Sequence, residues 1–496
     1  MKLLKNLSQE FESICTLLPE KTAIILGKEQ VTYQQLLKRV NDWREELDIV
    51  GMRAQDRVLV MVNEYIDFIA IWFALWGKKC VPIPLETSLS SYELQNAITE
   101  SKANWFVTDN IASQRLFPDD VVRFSRTNST WSIIQFGSIH VDIPTTDVAL
   151  LFYTSGTTGP SKCVIFDHQG IAENIFDEIQ AFQISPHDIC LTPLIPALPA
   201  TLATIIWPTL CTGATLILLP KSTPGQLLRT IEERQITIFY AVPYIYALLS
   251  SSMNQRKSSN WKSVRLCLSS SALLSETIFN DFYNFSQVPI RSIYCTSEAG
   301  ACTYNQSTDI ACILSSVGRP FSHTRLQIVD DRGAICPAGA EGEIFVKGRH
   351  TACGYLHQPL LQEQVFHDGW VRTGDLGFID TQGYLYLTGR LSETLNISGH
   401  LVNPQEVERI LTMHASVAEA SVYSRSDPKI GEIVCTDIVV REGTITPTSE
   451  ELLHLCANHL AHYKIPRHIS FVQNISKSRY GKIRRRFNDQ NKETGV

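Results

Sequence analysis

No segment of the sequence is both long and apolar enough to span a membrane. The longest apolar run, residues 65–76, includes Asp67. It is about a dozen residues long, whereas a spanning helix needs roughly 20. The residues that follow Met1 also lack the apolar stretch of a signal peptide. We therefore expect a soluble protein with no membrane span.

The sequence also lacks the marks of a disulfide-stabilised or nucleic-acid-binding protein. Its thirteen cysteines are an odd number, scattered from Cys15 to Cys456, and include no C-x-x-C pair. This pattern predicts reduced thiols in a cytoplasmic protein. The net charge of −6 gives no electrostatic reason to bind nucleic acid or an anionic membrane. Internal repeats and low-complexity tracts are absent too.

What the sequence does contain is a regular alternation of strand and helix patterns. The 496 residues are too many for one hydrophobic core, so we expect two or more domains. Residues 58–62 and 81–85 are typical of buried strands, and the apolar residues 66–76 between them are typical of a helix. Further continuous apolar strands are predicted at residues 216–219 and 237–242. The pattern predicts an α/β fold with largely parallel sheet.

Turn residues crowd into the sequence from Gly342 onward, as at residues 368–369 and 382–383, and predict β-hairpins. Beyond Arg390, about a hundred residues with their own βα pattern are enough for a small domain. We expect a large N-terminal domain, residues 1–390, with parallel-rich sheets layered with helices plus a β-subdomain. A small C-terminal α+β lid domain would cover residues 391–496, with the active site in the cleft between the two.

A Gly- and hydroxyl-rich loop follows a predicted strand at residues 149–153. The loop, residues 154–162, holds two glycines, several hydroxyl side chains and Lys162. Glycines let backbone N–H groups approach phosphate oxygens, and hydroxyls and a lysine add hydrogen bonds and charge. The residue five after Gly156 is Ser161, so the loop does not have the Walker A pattern. A phosphate-binding loop of another type is favoured over a flexible surface turn.

This loop resembles that of the adenylate-forming superfamily, which includes acyl-CoA synthetases, peptide-synthetase adenylation domains and luciferases. Five further segments match the motifs of that family, in its order and across essentially the whole chain: Thr32-Tyr33-x-x-Leu36, Tyr294-Cys295-Thr296-Ser297-Glu298, Thr373-Gly374-Asp375, Gly389-Arg390 followed by Ser398-Gly399-His400, and Gly481-Lys482-Ile483-Arg484. One match would be weak, but an ordered set is specific.

The resemblance implies a reaction that joins a carboxylate to the α-phosphate of ATP and expels pyrophosphate, with Mg²⁺ as cofactor. Because two anions must meet, the site has to neutralise and position charge. Glu298 is implied to be a Mg²⁺ ligand, Ser297 to contact the α-phosphate, and Lys482 to reach the carboxylate and α-phosphate from the small domain. The residues implied to hold the β- and γ-phosphates are Thr154, Ser155, Gly156, Thr157, Thr158, Gly159 and Lys162.

Other residues are implied to bind the nucleoside. Tyr294 would stack on adenine beside a strand formed by Ser270, Ser271 and Ala272. Asp375 would accept both ribose hydroxyls, which the two oxygens of a carboxylate allow, and Arg390 would contact ribose or phosphate. Three of these assignments have alternatives without a catalytic role. Glu298 could be a surface carboxylate, Tyr294 a core aromatic, and the basic residues 477–486 a solvated or nucleic-acid-binding patch.

The sequence departs from the family motifs in two ways that concern which acid is activated. Residues 192–200 contain no Asp, which peptide-synthetase domains use to bind an α-amino group, so an amino acid substrate is disfavoured. They also lack the His that many acyl-CoA synthetases carry, and Pro196 or Leu198 stands in its place. The acyl pocket is therefore expected to be altered. Its further candidate residues are Tyr240, Val242 and Ser269.

The form of the C-terminal motifs favours the CoA-ligase branch, since residues 463–467 read Y-K-x-P-R. At the hinge between domains, Ser392 stands where the family usually has Asp or Lys. The sequence therefore does not predict how rotation of the small domain is controlled before the second step, the transfer to the thiol. The residues His454, Cys456, His459 and His462 could resemble a metal site. On one helix they would face different directions, which favours an ordinary helix.

The sequence thus predicts an acid–thiol ligase. It would convert a non-amino carboxylic acid to acyl-AMP and then to an acyl thioester of CoA. One alternative is a stand-alone adenylation enzyme that loads the phosphopantetheine of an acyl carrier protein or acylates an amine. Another is a non-catalytic acyl or nucleotide sensor, disfavoured because Lys162, Glu298, Asp375 and Lys482 are all present. The acid, the acceptor and the oligomeric state stay open.

Overall fold

The computed structural model describes residues 6–109, 122–125, 131–136, 147–154, 162–253, 261–397, 400–427 and 431–477. The chain forms two compact units. The first comprises Met1–Leu326 and Phe345–Thr373, and the second comprises Gln327–Ile344 and Gly374–Val496. The domain boundary expected at residue 390 stays a prediction.

The first unit alternates strands and helices for most of its length. Its strands up to residue 320 are β1 Thr22–Leu26, β2 Glu29–Thr32, β3 Arg57–Met61, β4 Val81–Pro84, β5 Trp105–Thr108, β6 Val122–Ser125, β7 Ser132–Gln135, β8 Val148–Thr154, β9 Lys162–Asp167, β10 Ile189–Thr192, β11 Thr215–Leu218, β12 Ile238–Ala241, β13 Leu266–Ser269, β14 Ile290–Thr296, β15 Gly300–Tyr304 and β16 Arg319–Pro320.

The helices of this unit are α1 Leu7–Leu17, α2 Tyr33–Ile49, α3 Tyr65–Gly77, α4 Ser91–Ser101, α5 His168–Phe182, α6 Pro199–Thr201, α7 Trp207–Thr212, α8 Pro224–Glu233, α9 Pro243–Met253, α10 Glu276–Ser286, α11 Ile310–Ser315 and α12 Pro359–Val365. A π-helix, Leu202–Ile206, lies between α6 and α7. Strands β19 Gly354–Tyr355 and β20 Phe366–His367 also belong here. Strands β17 Arg325–Val329, β18 Gly342–Lys347 and β21 Trp370–Ile379 cross the positions where the units divide.

The largest sheet has nine strands in the order β16-β15-β14-β13-β12-β10-β11-β1-β2. Its strands from β14 to β1 are parallel, and both edges are antiparallel. Strands β11 and β12 occupy the apolar runs predicted at residues 216–219 and 237–242. A parallel sheet is buried on both faces, which explains why these strands are continuously apolar. The predicted α/β class with largely parallel sheet is confirmed.

A second sheet has the strand order β4-β3-β5-β7-β6. Helix α3 connects its strands β3 and β4, as the sequence predicts. Helix α3 is buried at Ile66 and from Phe68 to Trp76, and Trp76 packs its ring against Trp207. The Trp76 indole N–H donates to the Ala149 carbonyl at 2.7 Å. Helix α3 is thereby fixed to β8, the strand that leads into the Gly-rich loop.

The second unit has its own small core. Its further elements are β22 Leu385–Arg390, the 3₁₀ helix Leu391–Glu393, β23 Leu395–Ile397, β24 His400–Val402, α13 Pro404–Thr412, β25 Val417–Asp427, β26 Gly431–Val440, α14 Ser449–His459, the 3₁₀ helix His462–Lys464 and β27 His468–Phe471. Val407 and Leu411 of α13 and Cys456 of α14 are buried together with residues of β25 and β26. This α+β composition agrees with the predicted small domain.

The predicted hairpins are also present. Strands β20 and β21 pair antiparallel through a turn at Asp368 and Gly369, both with positive φ. Strands β21 and β22 pair antiparallel, and Gly383 in their turn has a φ of +85°. Two central residues with positive φ form the type I′ turn that matches the twist of paired strands.

The cysteines form no disulfide, as the sequence predicts. All thirteen lie in the described residues, and all are free thiols. Most of them are buried, and there they act as small apolar side chains. Burial raises the pKa of the Cys80 thiol to about 12, so this side chain stays protonated near pH 7.

The length and polarity of a helix decide whether it can span a membrane. Among the described residues, every helix is too short or too polar to cross a lipid bilayer.

Tyr246 fixes helix α9 to strands β12 and β13 of the nine-stranded sheet. Its buried hydroxyl donates to the carbonyls of Leu268 in β13, at 2.9 Å, and Phe239 in β12, at 3.2 Å. We expect Tyr246→Phe to lower the free energy of unfolding by about 1 kcal/mol, because buried carbonyls lose a donor. Urea unfolding followed by tryptophan fluorescence measures it.

The matched control is Tyr244→Phe in the same helix, where the ring is 47% exposed. It should change stability by less than about 0.5 kcal/mol. Equal effects of the two substitutions would contradict the stabilising role of the Tyr246 hydroxyl.

Candidate active site

Many of the predicted site residues of the first unit lie at one edge of the nine-stranded sheet. Strands β10, β12, β13 and β14 are parallel, so their carboxyl ends share that edge. In open parallel sheets, ligands bind at this edge. The residues beyond the strands are Pro196 and Leu198 after β10, Val242 after β12, Ser270, Ser271 and Ala272 after β13, and Ser297 and Glu298 after β14. The strand predicted at residues 270–272 is therefore wrong, because β13 ends at Ser269 and the chain turns there.

A row of hydroxyl groups runs along this edge. The Tyr240 ring is fully buried, and its hydroxyl lies 2.6 Å from Ser270 Oγ. Ser270 Oγ lies 3.4 Å from Ser271 Oγ. Burial raises the pKa of Tyr240, so its hydroxyl stays protonated. Ser269 is also buried, and its Oγ has no hydrogen-bond partner among the described residues.

Backbone irregularities mark two of the predicted nucleotide residues. Ser271 has a φ of +72°, a left-handed conformation that is strained for a residue with a Cβ and is common at functional sites. Between Tyr294 and Cys295, the pairing of β14 with β15 shifts register. Such bulges redirect side chains beside active sites. Tyr294 is 5% exposed, so it is a core aromatic at the position predicted to contact adenine.

Tyr355 connects two residues that the sequence predicts to bind phosphate and metal. Its hydroxyl donates to Glu298 Oε1 at 2.7 Å. The Lys162 ammonium lies over its ring, 5.5 Å from the centroid. Strand β19 sets this geometry, because Tyr355 pairs with Val164 of β9, the strand that Lys162 begins. Lys162 and Glu298 therefore both contact one aromatic side chain.

Sequence reasoning missed Tyr355. It is 57 residues from Glu298 along the chain, and no motif spacing connects the two. The only signal was a Gly-Tyr pair ahead of Pro359, which is too short to be specific.

The turn that carries Glu298 is fixed by Asn174 of α5. The Asn174 amide donates to the Ala301 carbonyl at 2.9 Å and accepts from the Ala301 N–H at 3.1 Å. Gly300 has a φ of +63°, and a Cβ there would lie 2.9 Å from Asn174 Oδ1. The Ala352 N–H adds a bond of 2.8 Å to the Glu298 carbonyl. The backbone around Glu298 is thus held from both sides.

Several predicted residues are not placed. Strands β8 and β9 pair antiparallel with Thr154 opposite Lys162, so the ends of the Gly-rich loop are adjacent. The rest of the loop, including Ser155, Gly156, Thr157, Thr158 and Gly159, lies outside the described residues, as does Lys482.

In the second unit, Asp375 and Arg390 are directly opposite on β21 and β22. Arg390 Nε lies 3.3 Å from Asp375 Oδ1, and the Asp375 side chain is 18% exposed. The ion pair orients a carboxylate, as a ribose site requires. Ser392 is exposed in the short 3₁₀ helix that follows β22.

The histidines of α14 and of the 3₁₀ helix that follows it do not lie beside Cys456. Cys456 is buried in the core of the second unit, whereas His454, His459 and His462 are exposed. Lys464, in the Y-K-x-P-R segment, forms an ion pair of 2.6 Å with Glu406 of α13. In the described residues, no group of three or more His, Cys, Asp or Glu side chains is arranged to hold a metal ion.

Comparison with known families agrees with this arrangement. The AMP-binding enzyme family matches residues 11–356, and the AMP-binding enzyme C-terminal domain matches residues 406–482. A 2-succinylbenzoate–CoA ligase of Bacillus cereus is 27% identical over 476 residues, covering 95% of each chain. A feruloyl-CoA synthase of an Amycolatopsis species is 27% identical over 478 residues, covering 95% of this chain and 96% of the relative.

Solved structures share the fold. ATP-bound MatB from Rhodopseudomonas palustris has a TM-score of 0.83 and 24% identity, covering 96% of this chain and 97% of that one. An amide bond synthetase from Marinactinospora thermotolerans also scores 0.83 at 24% identity, covering 96% and 98%. The Bacillus subtilis o-succinylbenzoate CoA synthetase, in complex with its acyl-adenylate, scores 0.80 at 22% identity, covering 96% of both chains.

The turn after Glu298 gives a testable consequence. We expect Gly300→Ala to lower the free energy of unfolding by roughly 2 kcal/mol or more, since a left-handed alanine is strained and the buried Asn174 amide must move. Gly51→Ala is the matched control, because Gly51 has a φ of +81° and an added Cβ would meet nothing within 4 Å. It should lose only about 1 kcal/mol. The two variants are compared by their urea unfolding midpoints. Equal losses of stability would contradict the role of Asn174 in holding the turn.

Proposed function

Because the chain belongs to the AMP-binding enzyme family, we propose that it activates a non-amino carboxylic acid with ATP and transfers the acyl group to CoA. A carboxylate oxygen attacks the α-phosphorus of ATP, the bond to the bridging oxygen breaks, and pyrophosphate leaves. The thiol of CoA then attacks the acyl carbonyl, loses its proton to solvent, and AMP leaves with the former carboxylate oxygen. The product is an acyl thioester.

The observation that carries this proposal is the contact of Lys162 and Glu298 with Tyr355. The first step brings a carboxylate towards a polyphosphate, so the dominant barrier is electrostatic. Lys162 supplies positive charge at the end of the Gly-rich loop, where the leaving pyrophosphate would be bound. Tyr355 contacts both this ammonium group and the Glu298 carboxylate, and such positioning limits reorganisation during the reaction.

Glu298 fits a magnesium site. It is partly buried, its Oε1 accepts from Tyr355, and its Oε2 has no hydrogen bond among the described contacts. Magnesium is usually held by one or two carboxylates together with substrate phosphates and water, so one protein carboxylate is sufficient. When bound, Mg²⁺ would neutralise phosphate charge. The Tyr355 hydrogen bond orients the carboxylate for that purpose.

The remaining roles are assigned residue by residue. Asp375, oriented by Arg390, would bind the ribose hydroxyls. Tyr294 would contact adenine, with Ser270, Ser271 and Ala272 beside it, and Ser297 would contact the α-phosphate. Lys482 would stabilise the carboxylate and α-phosphate in the first step. The hinge role of Ser392 and the domain boundary at residue 390 belong to the same proposal.

The acid is proposed to lack an α-amino group, because residues 192–200 offer no carboxylate to bind one. Relatives named as CoA ligases and a CoA synthase support CoA as the acceptor. Loading of a carrier-protein phosphopantetheine or of an amine is distinguished by turnover with free CoA. The free thiols support a reducing compartment, and we place the enzyme in the cytoplasm.

The direct test is ATP–pyrophosphate exchange with a panel of fatty, aryl, hydroxy and amino acids. We expect exchange with one class of non-amino acid and a loss of about a hundredfold or more in Lys482→Ala, since a charge that stabilises the transition state is removed. Lys477→Ala is a matched control, because Lys477 forms an ion pair with Glu419, and it should retain exchange. ATP binding without exchange for any acid would favour a nucleotide sensor.

Tyr355→Phe tests the hydrogen bond from Tyr355 to Glu298, because the substitution removes the hydroxyl and keeps the ring that Lys162 contacts. Loss of a hydrogen bond to a charged group should lower kcat/KM for Mg-ATP about ten- to a hundredfold. The concentration of Mg²⁺ needed for half-maximal exchange should rise as well. The control is Tyr92→Phe, at a tyrosine that is 76% exposed. Unchanged kcat/KM and unchanged Mg²⁺ dependence would rule out a role for Tyr355 in positioning Glu298.

A further inference from the structure

Helix α5 contains a carboxyl group where its pattern calls for an apolar residue. Ile171, Ile175 and Phe182 form the buried stripe of this helix, and Glu178 falls on the same stripe by its spacing of three and four residues. Its side chain is fully buried. A carboxyl in such a position is rare unless it is paired or used.

Only one oxygen of this carboxyl is accounted for. Thr204 Oγ1 lies 3.4 Å from Glu178 Oε1. Glu178 Oε2 is buried and has no hydrogen-bond partner among the described residues. Burial raises the pKa of Glu178 well above its usual value, and the neighbouring charge of Asp177 acts in the same direction. Burial therefore favours the protonated form of Glu178, whose carboxyl hydroxyl can donate a hydrogen bond.

The surroundings connect Glu178 to the candidate acyl pocket. Thr204 lies in the π-helix that follows Pro196 and Leu198 along the chain, and π-helical turns are frequent at functional sites. Tyr240, another candidate pocket residue, is fully buried, and its hydroxyl lies 2.6 Å from Ser270 Oγ. Through Thr204, the Glu178 carboxyl thus contacts the segment that follows two candidate pocket residues along the chain.

A purely structural role would leave half of this group unexplained. A link between α5 and the π-helix needs only Oε1 and the Thr204 hydroxyl. A buried, unsatisfied polar atom is costly, and most in native proteins have a partner. Oε2 therefore has the properties of a group whose partner arrives with the substrate.

We propose that Glu178 determines substrate specificity by donating a hydrogen bond from its carboxyl group to an uncharged oxygen, such as a hydroxyl, ether or carbonyl, on the acyl chain. This inference rests on the proposed function and narrows its substrate class. A cationic group would require a buried ion pair, for which desolvation is expensive. A second carboxylate on the substrate would likewise have to be buried as an uncompensated charge, which is costly.

The first test compares matched acids with the wild-type enzyme by pyrophosphate exchange. The probes are straight-chain acids of increasing length, each with its ω-hydroxy derivative, and cinnamate with its para-hydroxy derivative. A site built to hydrogen-bond a substrate oxygen discriminates strongly against an analogue without it. We expect kcat/KM to favour at least one oxygen-bearing acid by about tenfold or more.

Two variants locate the preference. Glu178→Leu should remove it, by lowering kcat/KM for the favoured acid about tenfold or more while leaving the apolar analogue unchanged or improved. Glu178→Gln should keep it, because the amide N–H also donates. Thermal unfolding midpoints and the KM for ATP serve as folding controls.

The outcomes separate the two proposals. Exchange by the wild type with no preference in any pair would overturn this inference alone. Equal losses for both members of a pair in Glu178→Leu, or loss of the preference in Glu178→Gln, would also overturn it. No exchange with any acid would overturn the proposed function and this inference together.

Discussion

Parallel pairing of strands β10, β12, β13 and β14 is the constraint on which the candidate site depends. Parallel neighbours must be joined by crossovers, so each strand delivers its following loop to the same edge. Residues far apart in sequence, such as Leu198, Tyr240 and Ser270, are brought to that edge without any local signal between them. The rigid sheet below them supplies the fixed geometry that charge stabilisation requires.

The turn after β14 is held more firmly than an ordinary surface turn. Asn174 binds both backbone groups of Ala301, the Ala352 N–H binds the Glu298 carbonyl, and Tyr355 binds the Glu298 carboxylate. These contacts come from α5 and from the chain around β19. The cost of ordering this carboxylate is therefore met when the protein folds, before a nucleotide binds.

Much of the fold could be predicted from the sequence, because buried parallel strands such as β11 and β12 are continuously apolar and turns such as that at Gly383 use residues with positive φ. The motif residues were recognisable because their order is specific. The contact between Tyr355 and Glu298 could not be predicted, since 57 residues separate them and only the pairing of β19 with β9 brings them together. Glu178 could have been identified from the sequence as a carboxyl on the apolar stripe of α5. Its contact with Thr204 could not have been predicted.

The central claim is that the carboxylate of the substrate becomes bonded to the α-phosphate of ATP. The most direct test is to supply the accepted acid with its carboxylate labelled by heavy oxygen, together with ATP and CoA, and to locate the label by mass spectrometry. We expect one labelled oxygen per turnover in AMP and none in pyrophosphate. Label in pyrophosphate or inorganic phosphate, or unlabelled AMP beside a labelled thioester only, would contradict it.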